Sequence, residues 1–116
     1  MIILYGIPSC STVKKARQCL ARHQIAYEFH DVRLAGLSLD LLERWVTRLD
    51  DWRYLVNKKS TTWRALAPAQ QALVSNVEGA LSLLVEQPTL LKRPVLDDSV
   101  HLLVGFEENL YEHYLL

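Results

Sequence analysis

Cys10 stands where an apolar run, Ile2-Ile3-Leu4-Tyr5-Gly6, gives way through Pro8-Ser9 to a segment of helical periodicity. A thiol at that junction meets the free N–H groups of the first helical turn, those of Ser11, Thr12 and Val13, and a dipole worth roughly half a positive charge. Such a thiol ionises below its usual pKa of about 8.5, and the thiolate is the nucleophile. Lys14, one turn on, adds positive charge to the same place. Buried cysteines are commonly inert, but the carboxyl end of a strand is where reactive groups gather in parallel α/β units. The placement favours reaction.

Cys19 has a different fate. Nine residues of helix rise about 13 Å, whereas a disulfide needs α-carbons within about 7 Å, so Cys10 and Cys19 do not bridge within one molecule. The position three beyond Cys10 is Val13, so no Cys-x-x-Cys pair exists. Cys19 lies beside the Val13/Ala16/Leu20 stripe and reads as a small packing residue at the core boundary. A redox cycle through Cys10 must then take its second thiol from outside, and glutathione is the abundant cytosolic candidate.

Arg93 and Pro94 precede a short strand. Proline there has an ordinary reading as an edge-strand start. If the fold brings it opposite Cys10, Pro94 is expected in the cis form, with Arg93 projecting at the same site as a donor for a carboxylate or oxyanion. Arg64, in Ser60-Thr61-Thr62-Trp63-Arg64, has two open readings: part of a capped helical turn with Trp63 packing, or a ligand contact. The four histidines (His23, His30, His101, His113) show no ligand spacing with each other or with the cysteines, and no metal site is expected. No glycine-rich phosphate loop is present.

The elements that must position these residues follow from pattern. Ile2–Tyr5 reads as a buried strand, Ser11 to His23 as an amphipathic helix capped by Ser9, Ser11 or Thr12, and Ile25 to Val32 as a second, parallel strand: a right-handed βαβ unit. Leu39, Leu42, Trp45, Val46 and Leu49 form a helical stripe after Ser38. Short helices are expected at Ser60–Leu66, Pro68–Ser75 and Glu78–Glu86, with Pro88 ending the last. Strands around Val95-Leu96 and His101–Val104, joined at Asp97-Asp98-Ser99, precede a final helix, Glu107–Leu115. This order, βαβ then ββα, is that of an α/β thioredoxin-like domain with a helical insertion at about residues 37–90.

The chain's 116 residues suit one domain, residues 1–116. Half are hydrophobic and 22% charged, which excludes a disordered chain. Thirteen basic residues balance thirteen acidic ones, so no nucleic-acid partner is implied. No apolar stretch approaches the roughly 20 residues of a membrane span and no secretory signal is seen, so a cytoplasmic protein without a membrane partner is expected. Charge is nevertheless segregated: Ser11–Gln24 and Trp52–Leu66 are basic without acids, and Val95 onward is acidic without Lys or Arg. That pattern fits either solvated faces of opposite sign or a local positive field that gathers an anion.

Three segments together resemble the ArsC/Spx family, most closely its small YffB-like branch: Tyr5-Gly6-Ile7-Pro8-Ser9-Cys10-Ser11-Thr12-Val13-Lys14-Lys15-Ala16, Thr61-Thr62-Trp63-Arg64, and Lys92-Arg93-Pro94-Val95-Leu96. The resemblance implies a thioredoxin-like domain with a helical insertion, Cys10 as the active-site thiol, and Arg93 and Pro94 lining its site. Departures matter for function. Glutathione-coupled arsenate reductases carry a histidine where this chain has Gly6, and three arginines of which only Arg93 matches, the others falling at Asn57 and Gly105, with Lys58, Lys59 and Arg64 close to Asn57 as alternative cations. Losing two charge-assisted donors costs oxyanion binding about 1.5–3 kcal/mol each. Spx-type regulators that bind RNA polymerase carry a Cys-x-x-Cys switch that Val13 removes.

The expected function is a monothiol, glutathione-dependent thiol-disulfide oxidoreductase acting on a disulfide or small oxidised substrate. Cys10 is its nucleophile, and Lys14, Arg64 and Arg93 offer charge to glutathione's carboxylates. Glutathione is a co-substrate, no cofactor is tightly bound, and glutaredoxin is a possible partner. The alternatives are glutathione/glutaredoxin-coupled arsenate reduction and an Spx-like, non-enzymatic regulator.

Overall fold

In the computed structural model, which describes residues 1–116, the elements in chain order are β1 (Ile3–Gly6), α1 (Ser11–Arg22), β2 (Glu28–Asp31), α2 (Val32–Ala35), α3 (Leu39–Val46), α4 (Thr61–Ala65), α5 (Pro68–Gln71), α6 (Val77–Glu86), β3 (Val95–Asp97), β4 (Leu102–Val104) and α7 (Glu108–Leu115). Short 3₁₀ turns occupy Trp52–Leu55 and Pro88–Leu90. The chain divides into two compact units, one of residues 1–32 with 93–116 and one of residues 33–92.

The first unit holds the sheet, in the order β2-β1-β3-β4. β1 runs parallel to β2, with Leu4 opposite Phe29, and antiparallel to β3, with Leu4 opposite Leu96. β3 and β4 form an antiparallel hairpin. Both β1 and β3 are flanked on two sides, which suits their continuous apolar sequences. Leu4 and Leu96 pack with Ala16, Cys19 and Leu20 of α1 and Tyr111 of α7 in one cluster. This is the thioredoxin-like arrangement.

Cys19 is deeper than its helical position suggested: it is 1% exposed, inside the cluster rather than at its rim. The stripe Val13/Ala16/Leu20 accounts for one face of α1, and α7 covers the adjacent one. Burial, and then the neighbouring Cys19, push the Tyr111 phenol far above its ordinary range. Arg17 fastens α1 to the β2 side: its guanidinium lies 4.2 Å from the Phe29 ring centroid, and its Nε donates to the Tyr27 hydroxyl at 2.9 Å.

β2 starts at Glu28 rather than Ile25 because α1 ends in a Schellman turn. The Ile25 N–H donates to the Leu20 carbonyl (2.9 Å) and the Gln24 N–H to that of Ala21 (3.0 Å), with Gln24 in the left-handed region at φ 56°. The β-hairpin turn is shifted by one residue, to residues 98–101. β3 runs through Asp97, and the Asp98 carboxylate accepts the N–H groups of Val100 and His101.

The second unit is built from short, capped helices. Ser38 accepts from Leu41 N–H (3.1 Å) at α3, Ser60 from Trp63 N–H (3.1 Å) at α4, and Asn76 from Gly79 N–H (2.8 Å) at α6. Leu42 and Trp45 of α3 and Leu81 and Leu84 of α6 are buried. α5 is a single turn ending at Gln71, not Ser75, because Leu73 and Val74 donate to Gln70 and Gln71, three residues back, and tighten the chain.

The turn after α1 yields a test. Gln24 occupies a left-handed position where an L side chain carries a steric cost, so Gln24→Gly should stabilise the chain by about 0.5–1 kcal/mol in urea unfolding.

Candidate active site

Cys10 is the N-cap residue of α1, in extended backbone (φ −74°, ψ 126°) and half-buried. Its N–H donates to the Ile7 carbonyl at 3.1 Å, closing the Pro8-Ser9 turn, and its carbonyl accepts the first helical bond, from Lys14 N–H at 3.0 Å. Ser9, Ser11 and Thr12, the expected capping residues, do not cap. The turn places Cys10 itself at that position, and no side-chain oxygen serves the helix end. The donors of the first turn are therefore left to the sulfur.

Burial works against an ionised Cys10. The N–H groups of Val13 and Thr12, followed by the charge and hydrogen bond of Arg93, outweigh it, and the Cys10 pKa lies below its ordinary value. The thiol makes no formal capping hydrogen bond, so these groups act chiefly on the anion. Of the expected donors, Thr12 and Val13 thus face the sulfur and Ser11 is not among them. Lys14 is exposed, and the cation acting on the sulfur is Arg93 instead.

Arg93 reaches this place from the other end of the unit. The Arg93–Pro94 peptide is cis, and Pro94 is buried, its carbonyl accepting the Gly105 N–H at 2.8 Å. That bond fixes the start of β3 against the end of β4. Arg64 belongs to the second unit, where it is exposed and its Nη1 donates to the Lys59 carbonyl at 2.9 Å.

The positions that depart from arsenate reductases are occupied for structural reasons. A Cβ on Gly6 would lie 2.8 Å from Cγ2 and 3.0 Å from Cγ1 of Val13, a stiff side chain fully buried at the end of β1. Val13 therefore fills the space a histidine at position 6 would need, while occupying the place of a second Cys-x-x-Cys thiol. Gly105 has φ 82°, where an arginine would be strained. Asn57 is engaged in a turn, its Oδ1 accepting from Lys59 N–H at 3.0 Å.

The expectation that no histidine is spaced with a cysteine as a ligand pair does not hold. Cys19 and His23 are one helical turn apart on α1, and their ligand atoms and a Glu108 oxygen all lie within 4.8 Å of one another. The i, i+4 spacing was present in the sequence; the partner carboxylate, 85 positions beyond His23, comes only from the packing of α7. His101 also pairs with a carboxylate, Asp98, at 3.1 Å.

The ArsC family model matches residues 5–114. An uncharacterized protein of Haemophilus influenzae is 45% identical over 112 residues, 97% of this chain and 96% of its own length. A Lactococcus lactis protein named global transcriptional regulator Spx 1 is 32% identical over 110 residues, 94% of this chain and 84% of its own. The solved structure of a protein called YFFB matches with a TM-score of 0.90 at 37% identity, covering 100% of both chains.

Two outcomes follow from the geometry. The pH midpoint for alkylation of Cys10 should lie below the ordinary thiol value of about 8.5 and move upward in Arg93→Ala. In the window between the folded pKa and that unfolded value, the unfolded chain binds more protons, so stability should rise with pH there and be lost as pH falls through it. Cys10→Ser should flatten this part of a pH-dependent denaturation series. Separately, Gly6→Ala should destabilise by about 1–3 kcal/mol through overpacking, and much of that loss should be absent when Val13→Ala is already in place, as a double-mutant cycle would read.

Proposed function

The chain belongs to the ArsC family, and we propose that it is a monothiol thiol-disulfide oxidoreductase that uses Cys10 as nucleophile and glutathione as co-substrate. The observation that carries the reading is a half-buried sulfur at the N-cap of α1, faced by the Val13 and Thr12 N–H groups and by Arg93, with no second thiol in a position to resolve it. Val13 stands where a resolving cysteine would be, and Cys19 is sealed in the core.

The reaction follows from that shortage. The Cys10 thiolate attacks the glutathione sulfur of a mixed disulfide, forms a Cys10–glutathione disulfide and expels the substrate thiolate. A glutathione thiolate then attacks the glutathione sulfur of that adduct, releasing oxidised glutathione and restoring the Cys10 thiolate. Glutaredoxin is an alternative reductant for the adduct. Arg93 serves twice, holding the Cys10 anion and offering a donor to a glutathione carboxylate. Buried Pro94 shapes the wall beside it. Lys14 and Arg64 are further cations proposed for the peptide's carboxylates.

Arsenate reduction is the weaker enzymatic alternative, because Gly6, Asn57 and Gly105 are committed to packing or turns. Turnover of arsenate with glutathione and glutaredoxin, lost in Arg93→Ala, would favour it. The 32% identity to a protein named a transcriptional regulator supports a non-enzymatic reading, in which a protein partner is still captured after Cys10→Ala.

Mass spectrometry after incubation with oxidised glutathione tests the main reading. One adduct mapping to Cys10 and absent from Cys10→Ser is expected, and reduction of a glutathionylated substrate should fall by at least about a thousandfold in that variant. An unmodified Cys10 would refute the mechanism.

A further inference from the structure

At the end of α1 remote from Cys10, three potential donors converge from two helices. Cys19 and the C-cap residue His23 come from α1, and Glu108 from α7. The Cys19 Sγ, a His23 ring nitrogen and a Glu108 oxygen lie within 4.8 Å of one another. Glu112, one turn beyond Glu108 on α7, stands outside this trio, its Oε2 3.4 Å from His23 Nε2.

Polar bookkeeping in this corner is incomplete. His23 Nε2 is inaccessible to solvent and makes no hydrogen bond, its approach to Glu112 lacking the required geometry. The Tyr111 hydroxyl, on the same helix as the two glutamates and beside Cys19, is also buried and makes no hydrogen bond. Buried polar atoms in native proteins are nearly always satisfied, so two such atoms around one cluster point to a missing ligand. A cleft of about 190 Å³, lined by Lys15, Gln18, Arg22, Phe106 and Glu108, opens beside Glu108.

The geometry points to a zinc site formed by Cys19, His23 and Glu108, with the fourth position left to water. Thiolate, imidazole and carboxylate are the donors Zn²⁺ takes in tetrahedral sites, with bonds of about 2.0–2.3 Å and ligand atoms about 3.4–3.6 Å apart. The three ligand atoms, within 4.8 Å of one another, must close by about an ångström, which the exposed Glu108 can supply while Cys19 stays fixed in the core. On binding, the Cys19 proton passes to solvent. One thiolate and one carboxylate then match the charge of the divalent ion. The ion ties α1 to α7 without touching Cys10, nine residues and about 13 Å of helix away.

The test uses the full chain carrying Cys10→Ser, which removes the other thiol that could take a metal. Titration with zinc against a chromophoric chelator should give one tightly held ion per chain, and cobalt in its place should show thiolate-to-cobalt charge-transfer absorption. His23→Gln, at a half-buried position, should weaken zinc binding by more than about tenfold and abolish the zinc-induced rise in Tm. Cys19→Ser, if it folds, should remove the cobalt–thiolate band. Absence of that band in the Cys10→Ser chain, or zinc affinity unchanged by His23→Gln, would overturn the assignment.

Discussion

The candidate active site depends on what the first turn of α1 does with its unsatisfied amides. A helix start leaves several N–H groups without partners, and a serine or threonine oxygen usually takes one. Here the capping position is given to a sulfur, and the Val13 and Thr12 amides are aimed at it. Burial alone would raise the thiol's pKa; the amides and Arg93 reverse the sign. An oxygen cap from Ser9 or Thr12 would stabilise the helix and compete for the same donors, so helix stability and sulfur chemistry draw on one small set of groups.

The surroundings of Cys10 show how packing limits chemistry. Gly6 and Val13 are one fitted pair: the first lacks a side chain because the second fills the space. One residue, Val13, therefore both fills the space a side chain at position 6 would need and stands where the second thiol of a Cys-x-x-Cys pair would be. Gly105 is bound by a different constraint, its left-handed backbone, and by its bond to the Pro94 carbonyl. The site is left with one thiol of lowered pKa, one guanidinium and the amides.

The βαβ unit, the hairpin and the final helix were legible because each is strongly patterned, and Cys10 was legible because strand-to-helix junctions have known electrostatics. The pairing of Arg93 with Cys10 depended on knowing the fold, since 83 positions separate them. What pattern could not reach was decided by local hydrogen bonds or by tertiary cover. Gln24 in a left-handed turn shortens β2, although periodicity alone extends the strand to Ile25. α2 and the two 3₁₀ turns are each too short to show a period. The depth of Cys19 and its meeting with Glu108 come from α7, whose docking face the helical wheel of α1 does not contain.

The sheet is also discontinuous along the chain, and this bears on how the protein is made. β1 pairs with β2 after some 25 positions, but Ile3 meets Asp97 only after 94. Closing the longer loop carries an entropy cost that grows as the logarithm of its length, and contacts so distant in sequence form late. A chain emerging from the ribosome therefore has its cysteine at residue 10 long before its arginine at residue 93. Until the last strands join, the sulfur has only local amides for company, and the share of its lowered pKa that Arg93 supplies arrives together with completed folding.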